Sequence, residues 1–260
     1  MHSFDLKQIK AFAFDLDGTI YTGDTLVDGA DDLLLFLRSR GLRVFFFTNG
    51  SARARMQVRE KLGGLGIEAG LDEIYTSAFA TAKWVADRGI RQVFCLGAQG
   101  LRDELAGFGV ESTENASGAE ALVIGLDTGF SYQTLSAVMP FREDERPLIA
   151  CNRDASYPVG DTHFKPGCGA LVAAVEAALE RAVDCSVGKP NCFMFDLLCA
   201  NAGLAAHQVA VVGDSLASDI GMALKAGAPS FLISALAGEE AGTFVVERLA
   251  QIKGFFAGNS

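Results

Sequence analysis

The chain reads as an α/β protein, a Rossmann-like doubly wound parallel sheet that carries an inserted, smaller α/β domain. Three observations point there. Short apolar runs, of the kind that form strands buried on both faces, alternate with helical patterns along most of the 260 residues. Three of those runs, ending near positions 14, 47 and 212, break abruptly into polar residues, as strands do where an open parallel sheet opens a ligand crevice at its carboxyl edge. From position 77 the alternation restarts without an Asp-x-Asp of its own, which marks a second unit. The expected division is 1–77 for the first part of the main domain, 78–185 for the insertion and 186–260 for the second part. Half of the residues are hydrophobic, enough to fill cores of that size.

In chain order, the run Ala-Phe-Ala-Phe at 11–14 is the first strand, and it delivers Asp15-Leu16-Asp17-Gly18-Thr19 at its tip. Residues 20–27 alternate around Thr22-Gly23-Asp24 and predict a hairpin over that tip. Asp28 is placed to cap a helix whose stripe of Leu33, Leu34, Phe36 and Leu37 stops before Gly41. A second strand at 44–47 leads into Thr48-Asn49-Gly50-Ser51, expected to open a basic helix whose start is either an anion seat or an ordinary cap. In the insertion, strands are expected at 93–96, 122–126 and 148–151, with helices at 79–86, 101–108, 132–139 and 170–179. Asn152 and Asp154 are its polar tips, and the Lys-Pro-Gly-Cys-Gly-Ala run at 165–170 reads as a connector or a substrate-facing wall. Lys189, standing before Pro190, belongs on an extended turn. A helix at 193–202 and a strand at 209–212 follow, the strand ending in Gly213-Asp214-Ser215-Leu216-Ala217-Ser218-Asp219. A helix at 220–226, a strand at 231–233 and an apolar tail helix that includes Phe244, Val245 and Val246 complete the reading.

The chemistry lies at the tips. Asp15 and Asp17, two residues apart, point the same way while the strand persists, and such neighbours repel unless a cation or a shared proton intervenes. A hard divalent cation with oxygen ligands, such as Mg2+, is the economical partner. The gathered tips are Asp15, Asp17, Thr48, Asn49, Lys189, Asp214 and Asp219. With Mg2+ and Lys189 in place, a phosphate monoester dianion can dock against Thr48 and Asn49 while one aspartate attacks phosphorus and its neighbour donates a proton to the leaving oxygen.

These residues, Asp15-Leu16-Asp17-Gly18-Thr19, Thr48-Asn49, Gly188-Lys189-Pro190 and Gly213-Asp214-Ser215-Leu216-Ala217-Ser218-Asp219, resemble in order and spacing the four motifs of the haloacid dehalogenase (HAD) superfamily of phosphatases. The insertion, with Asn152-Arg153-Asp154 and Pro166-Gly167-Cys168-Gly169-Ala170, is similar to the α/β cap of its NagD-like branch. The resemblance implies a HAD-like core with a cap, Asp15 as nucleophile and metal ligand, and Asp17 as general acid and base with its carbonyl on Mg2+. It implies that Thr48, Asn49 and Gly50 hold the phosphoryl group, that Lys189 neutralises charge, and that Asp214 and Asp219 bind or orient the metal. Asn152, Asp154 and the 166–170 loop would face substrate from the cap. The implied substrates are small phosphomonoesters of the nucleotide, sugar phosphate, phosphoglycolate, pyridoxal phosphate or nitrophenyl phosphate classes, and the implied assembly is a homodimer through the caps. Gly50 and Ser51 depart from the branch, where a second asparagine is common.

Other classes fit less well. Gly213-Asp214-Ser215-Leu216-Ala217 nearly matches a Gly-x-Ser-x-Gly nucleophile elbow, but it fails at Ala217, and both His163 and His207 precede the serine. A phosphotransferase, or a phosphate-binding module without turnover, would use the same pocket; Asp17 favours the enzyme, since a general acid serves rapid hydrolysis. A net charge of −10 argues against nucleic acid or an anionic membrane as partner. Six widely spaced cysteines with no Cys-x-x-Cys pair, and no apolar leader ahead of the first strand, read as a reduced, cytoplasmic protein.

Overall fold

Alternation along the first strand, β1 (Ala11–Phe14), decides how the main sheet is covered. The strand is buried along its whole length. Successive side chains leave opposite faces, so Phe12 and Phe14 join Leu33, Leu37 and Phe231 in one apolar cluster while Ala11 and Ala13 join Phe45, Phe47 and Val209 in another. The computed structural model describes residues 4–159, 163–235 and 242–256.

After β1 come the hairpin strands β2 (Tyr21–Thr22) and β3 (Thr25–Leu26), helix α1 (Ala30–Ser39), β4 (Arg43–Thr48), α2 (Arg55–Gly64) and β5 (Ile74–Thr76). The chain then builds a second sheet through α3 (Ser77–Asp87), β6 (Gln92–Leu96), α4 (Gln99–Gly107), β7 (Glu111–Thr113), β8 (Ala121–Ile124), α5 (Tyr132–Ala137) and β9 (Leu148–Ala150). The antiparallel hairpin β10 (Ser156–Val159) and β11 (His163–Pro166), α6 (Cys168–Leu179) and β12 (Cys185–Ser186) complete that unit. Helix α7 (Phe193–Ala202), β13 (Val209–Gly213), α8 (Gly221–Ala226), β14 (Ser230–Ile233) and β15 (Phe244–Val246) return to the first sheet.

The main sheet has the order β15-β14-β13-β1-β4-β5 and every pairing is parallel. From β1 the chain passes to β4 on one side and, after the insertion, to β13 on the other. The crevice therefore opens at the carboxyl end of β1, the place where strand order reverses. The second sheet, β12-β9-β8-β6-β7, is also parallel. The fold is thus the expected α/β core with a smaller α/β cap inserted. One buried apolar cluster runs from Phe45 and Phe47 through Ala78 and Phe79 of α3 to Val93 and Val123 of the cap.

Several expectations change. Gly29, in the left-handed region at φ 75, caps α1 in place of Asp28, and Asp31 and Asp32 supply the negative charge in its first turn. Helix α2 starts at Arg55 rather than at Asn49, because Asn49 and Ser51 are engaged by the cap. Phe244–Val246 is an edge strand and not part of a helix; the tail's helical turns are confined to Leu249–Phe255. Strands β5, β7 and β12 and the proline-bearing hairpin β10–β11 were not expected, since pieces of two to four residues are too short to show a period. Among the described residues no helix is long and apolar enough to cross a membrane.

Phe12 sits within 5.9 Å of the Phe14 ring, 6.1 Å of Phe231 and 5.5 Å of Phe256. Phe12→Ala should lower unfolding free energy by about 3–5 kcal/mol, read from the urea midpoint, and a loss under about 1 kcal/mol would contradict this packing.

Candidate active site

The chain leaves β1 through Asp15, whose N–H continues the ladder to Val212 O at 2.8 Å. Three residues later it turns at Gly18, which has φ 90 and whose missing Cβ leaves room for the Asp214 carboxylate. A side chain there would be strained and would collide with that carboxylate. The hairpin β2–β3 stands over this turn, as expected, with Gly18 N–H bonded to Tyr21 O at 2.8 Å.

At the tip of β13, Asp214 reaches into the crevice. The wide helical turn Leu216–Ile220 then brings Asp219 back beneath it, with the Asp219 carboxylate accepting the Ser215 N–H at 3.1 Å. Asp15, Asp214 and Asp219 each present a carboxylate oxygen, and these oxygens lie within 4.8 Å of one another. Into this cluster comes Lys189, only 2% exposed. Its ammonium donates to Asp15 Oδ1 at 2.5 Å, Asp219 Oδ1 at 2.7 Å and Phe47 O at 3.1 Å.

The electrostatics follow from one cation among three carboxylates. Burial works against the Lys189 charge, but Asp15 and Asp219 outweigh it and hold the ammonium above its ordinary range. Burial pushes Asp15 up; Lys189 pulls it down, and Asp219 and Asp214 push it further up. Asp214 is raised by desolvation and then by Asp219. An excess of negative charge remains after Lys189 is counted, and a hard divalent cation fits that donor set of oxygens. Asp17 stays outside the cluster. Desolvation raises it, while Lys61, Arg53 and Lys189 lower it in part.

Thr48, at the tip of β4, is buried, and its Oγ1 accepts the Gly50 N–H at 2.9 Å. Asn49 faces elsewhere. Its Nδ2 donates to Asp154 Oδ2 at 2.9 Å and to Lys189 O at 3.1 Å, and its Oδ1 accepts the Lys189 N–H at 2.8 Å. Asn152 Nδ2 donates to Asn49 O at 2.6 Å. The sequence-derived residues thus fall into two groups: Asp15, Asp214, Asp219 and the Lys189 ammonium, and Asn49, Asn152, Asp154 and the Lys189 backbone. The 166–170 loop lies behind the second group, where Gly167 N–H donates to Ala155 O and Gly169 N–H to Asp154 O, both at 2.8 Å.

Sequence reasoning missed three contributors. Ser51 Oγ accepts the Leu126 N–H at 2.9 Å and joins core to cap, and Ser77 Oγ donates to Asn49 O at 2.7 Å. The Lys61 ammonium lies 3.7 Å from the Tyr21 ring centroid beside Asp17. Only the basic run after Ser51 hinted at the last of these.

Residues 12–111 match the model of a family described as haloacid dehalogenase-like hydrolase, and residues 186–252 match a second, HAD-hydrolase-like family. The chain is 34% identical to sugar-phosphatase AraL of Bacillus subtilis, over 87% of this chain and 84% of that one. It is 35% identical to phosphoglycolate phosphatase 2 of Arabidopsis thaliana, over 86% and 82%. The structure of 4-nitrophenylphosphatase from Thermotoga maritima superposes with a TM-score of 0.88 at 28% identity, covering 96% of this chain and 98% of that one. Glycerol phosphate phosphatase from Mycobacterium tuberculosis, in complex with magnesium, superposes at 0.84 with 26% identity, covering 94% and 77%.

A Cβ on Gly188 would lie 2.6 Å from Asn49 Oδ1 and 2.7 Å from Cys151 O. Gly188→Ala should therefore destabilise the fold by about 1–3 kcal/mol in thermal or urea unfolding, and a neutral result would contradict this close approach.

Proposed function

The chain belongs to the haloacid dehalogenase-like hydrolase family and is a phosphomonoester hydrolase; from that premise we propose a Mg2+-dependent reaction through an aspartyl phosphate on Asp15. The observation that carries the reading is the buried Lys189 ammonium bonded to both Asp15 and Asp219 at the carboxyl end of β1.

Asp15, Asp214 and Asp219 are the residues to hold Mg2+. When bound, the ion offsets the carboxylate charge and lets an anionic substrate enter. Lys189 holds Asp15 Oδ1, leaving the other carboxylate oxygen to attack phosphorus in line with the leaving group. The Asp15 oxygen to phosphorus bond forms, the ester P–O bond breaks, and the proton of Asp17 passes to the departing oxygen. Asp17 suits that task because desolvation keeps its carboxyl protonated to higher pH than usual. Water then attacks the same phosphorus, Asp17 takes the proton, and the Asp15 carboxylate leaves as inorganic phosphate is released. Throughout, Lys189 offsets charge on Asp15 and on the phosphoryl oxygens. The Thr48 hydroxyl, which accepts from Gly50, keeps its own hydrogen to donate to a phosphoryl oxygen.

We take 78–185 as the inserted unit and small phosphomonoesters as the substrates, as the names of the relatives suggest. The hairpin β10–β11, where Phe164 is 70% exposed, is the surface offered for a homodimer through the caps. All six cysteines are free thiols, which suits a reducing, cytoplasmic setting.

Phosphate release from a panel of small phosphomonoesters should require Mg2+ and should collapse in Asp15→Asn, which remains folded; release that persists with chelator or in that variant removes the assignment. Mg2+ itself should raise the melting temperature of chelator-treated protein, since a ligand at 100 times its Kd adds about 2.7 kcal/mol. Asp214→Asn should weaken that shift, and an unchanged shift would place the ion elsewhere.

A further inference from the structure

Asn49 and Asp154 were expected to touch substrate, yet the structure commits both side chains to one another. The Asn49 amide has one arrangement that satisfies all its neighbours. Nδ2 must face the Asp154 carboxylate and the Lys189 carbonyl, and Oδ1 must face the Lys189 N–H. Both amide hydrogens are then used, and a phosphoryl oxygen finds no donor on that side chain. Asn49 is itself buried, and its own carbonyl is held by Ser77 and Asn152.

We propose that Asp154 and Asn49 form a positioning pair, in which a carboxylate of the cap fixes the core amide that grips the Lys189 backbone and so aims the lysine ammonium at Asp15. The inference rests on the reading of Lys189 given above. Two features make the pair necessary. The chain reaches Lys189 directly after leaving the cap sheet at β12, so this backbone lies at a crossing between two units and needs an anchor in each. Asn49 supplies the core anchor, and Gly188 N–H, donating to Cys151 O at 2.7 Å, supplies the cap one. Asp154 ties the two together and is itself shaped for the task. Its N–H donates to Asn152 Oδ1 at 3.0 Å, and its carbonyl accepts the Gly169 N–H at the start of α6. The Pro166 to Ala170 run is therefore the buttress of this turn. An ammonium that must lie between two carboxylates tolerates little displacement, because misplacing a charged group by about 1 Å costs on the order of 100-fold in rate.

The test is a double-mutant cycle on the intact protein, read with 4-nitrophenyl phosphate as substrate and inorganic phosphate as ligand. Asp154→Ala should lower kcat by about 10- to 100-fold, the range for losing a residue that orients a catalytic group, with a smaller change in KM. Asn49→Asp sets two carboxylates face to face and should lose comparably. Adding Asp154→Asn to Asn49→Asp restores one donor opposite one acceptor between the two side chains, though not the donor to Lys189 O, and should recover part of the loss, roughly tenfold in kcat and in phosphate affinity measured by calorimetry. Melting curves report which variants remain folded. Losses that merely add in the double variant, or an Asp154→Ala effect confined to KM and varying with the leaving group, would make these residues substrate contacts and overturn the proposal. Should the wild type hydrolyse no ester, the phosphatase reading fails, while the phosphate-affinity arm of the cycle still decides whether the pair is coupled.

Discussion

One buried ammonium governs the architecture of this site. Lys189, bonded to Asp15 and Asp219, is the cation that allows carboxylates from β1 and from the turn after β13 to be buried side by side. Removing either partner of such a pair leaves an uncompensated buried charge, so lysine and aspartates constrain one another. The constraint reaches into the backbone. Gly18 must be small to let Asp214 approach, and the turn after Ser215 must be wide to fold Asp219 beneath it.

Parallel topology explains why these groups meet. Strand β1 is flanked by β4 on one side and β13 on the other, so three successive tips open on one edge of the main sheet. The cap brings the tips of β8 and β9 to the same place, where Leu126 binds Ser51 and Asn152 binds Asn49. Two parallel sheets thus face each other through their carboxyl edges. Lys189 sits where the chain passes from one to the other, and its side chain binds the core carboxylates Asp15 and Asp219 while its backbone is held at the joint between the two sheets.

What the sequence shows and what it hides divide along physical lines. Asp15, Asp214 and Lys189 were legible because each lies at the end of an apolar run or beside a proline, and a strand tip tells where its side chain goes; Asp219, in the turn beyond its strand, was legible only through the spacing of the whole 213–219 motif. The inserted α/β unit was legible for the same reason, through periodicity. Asn49, Asn152 and Asp154 were recognisable as polar tips, but their mutual engagement was hidden: Asn49 and Asp154 stand 105 positions apart, and nothing local announces that partner. Helix α2 was expected too early because Asn49-Gly50-Ser51 has the composition of a cap. Its polar atoms are instead drawn to the second unit, a tertiary demand that overrides local preference. Strands such as β5 and β12 owe their existence to pairing at sheet edges rather than to pattern.

The central claim is that the phosphoryl group passes through Asp15, and it can be observed directly. In Asp17→Asn the departure of nitrophenolate, a good leaving group, needs little help, whereas hydrolysis of the covalent intermediate loses its base. Acid-quenched Asp17→Asn protein exposed to 4-nitrophenyl phosphate and Mg2+ should carry one phosphoryl group on the peptide containing Asp15, detected by mass spectrometry. A phosphoryl group on any other residue, or steady nitrophenolate release with no covalent adduct, would contradict the account.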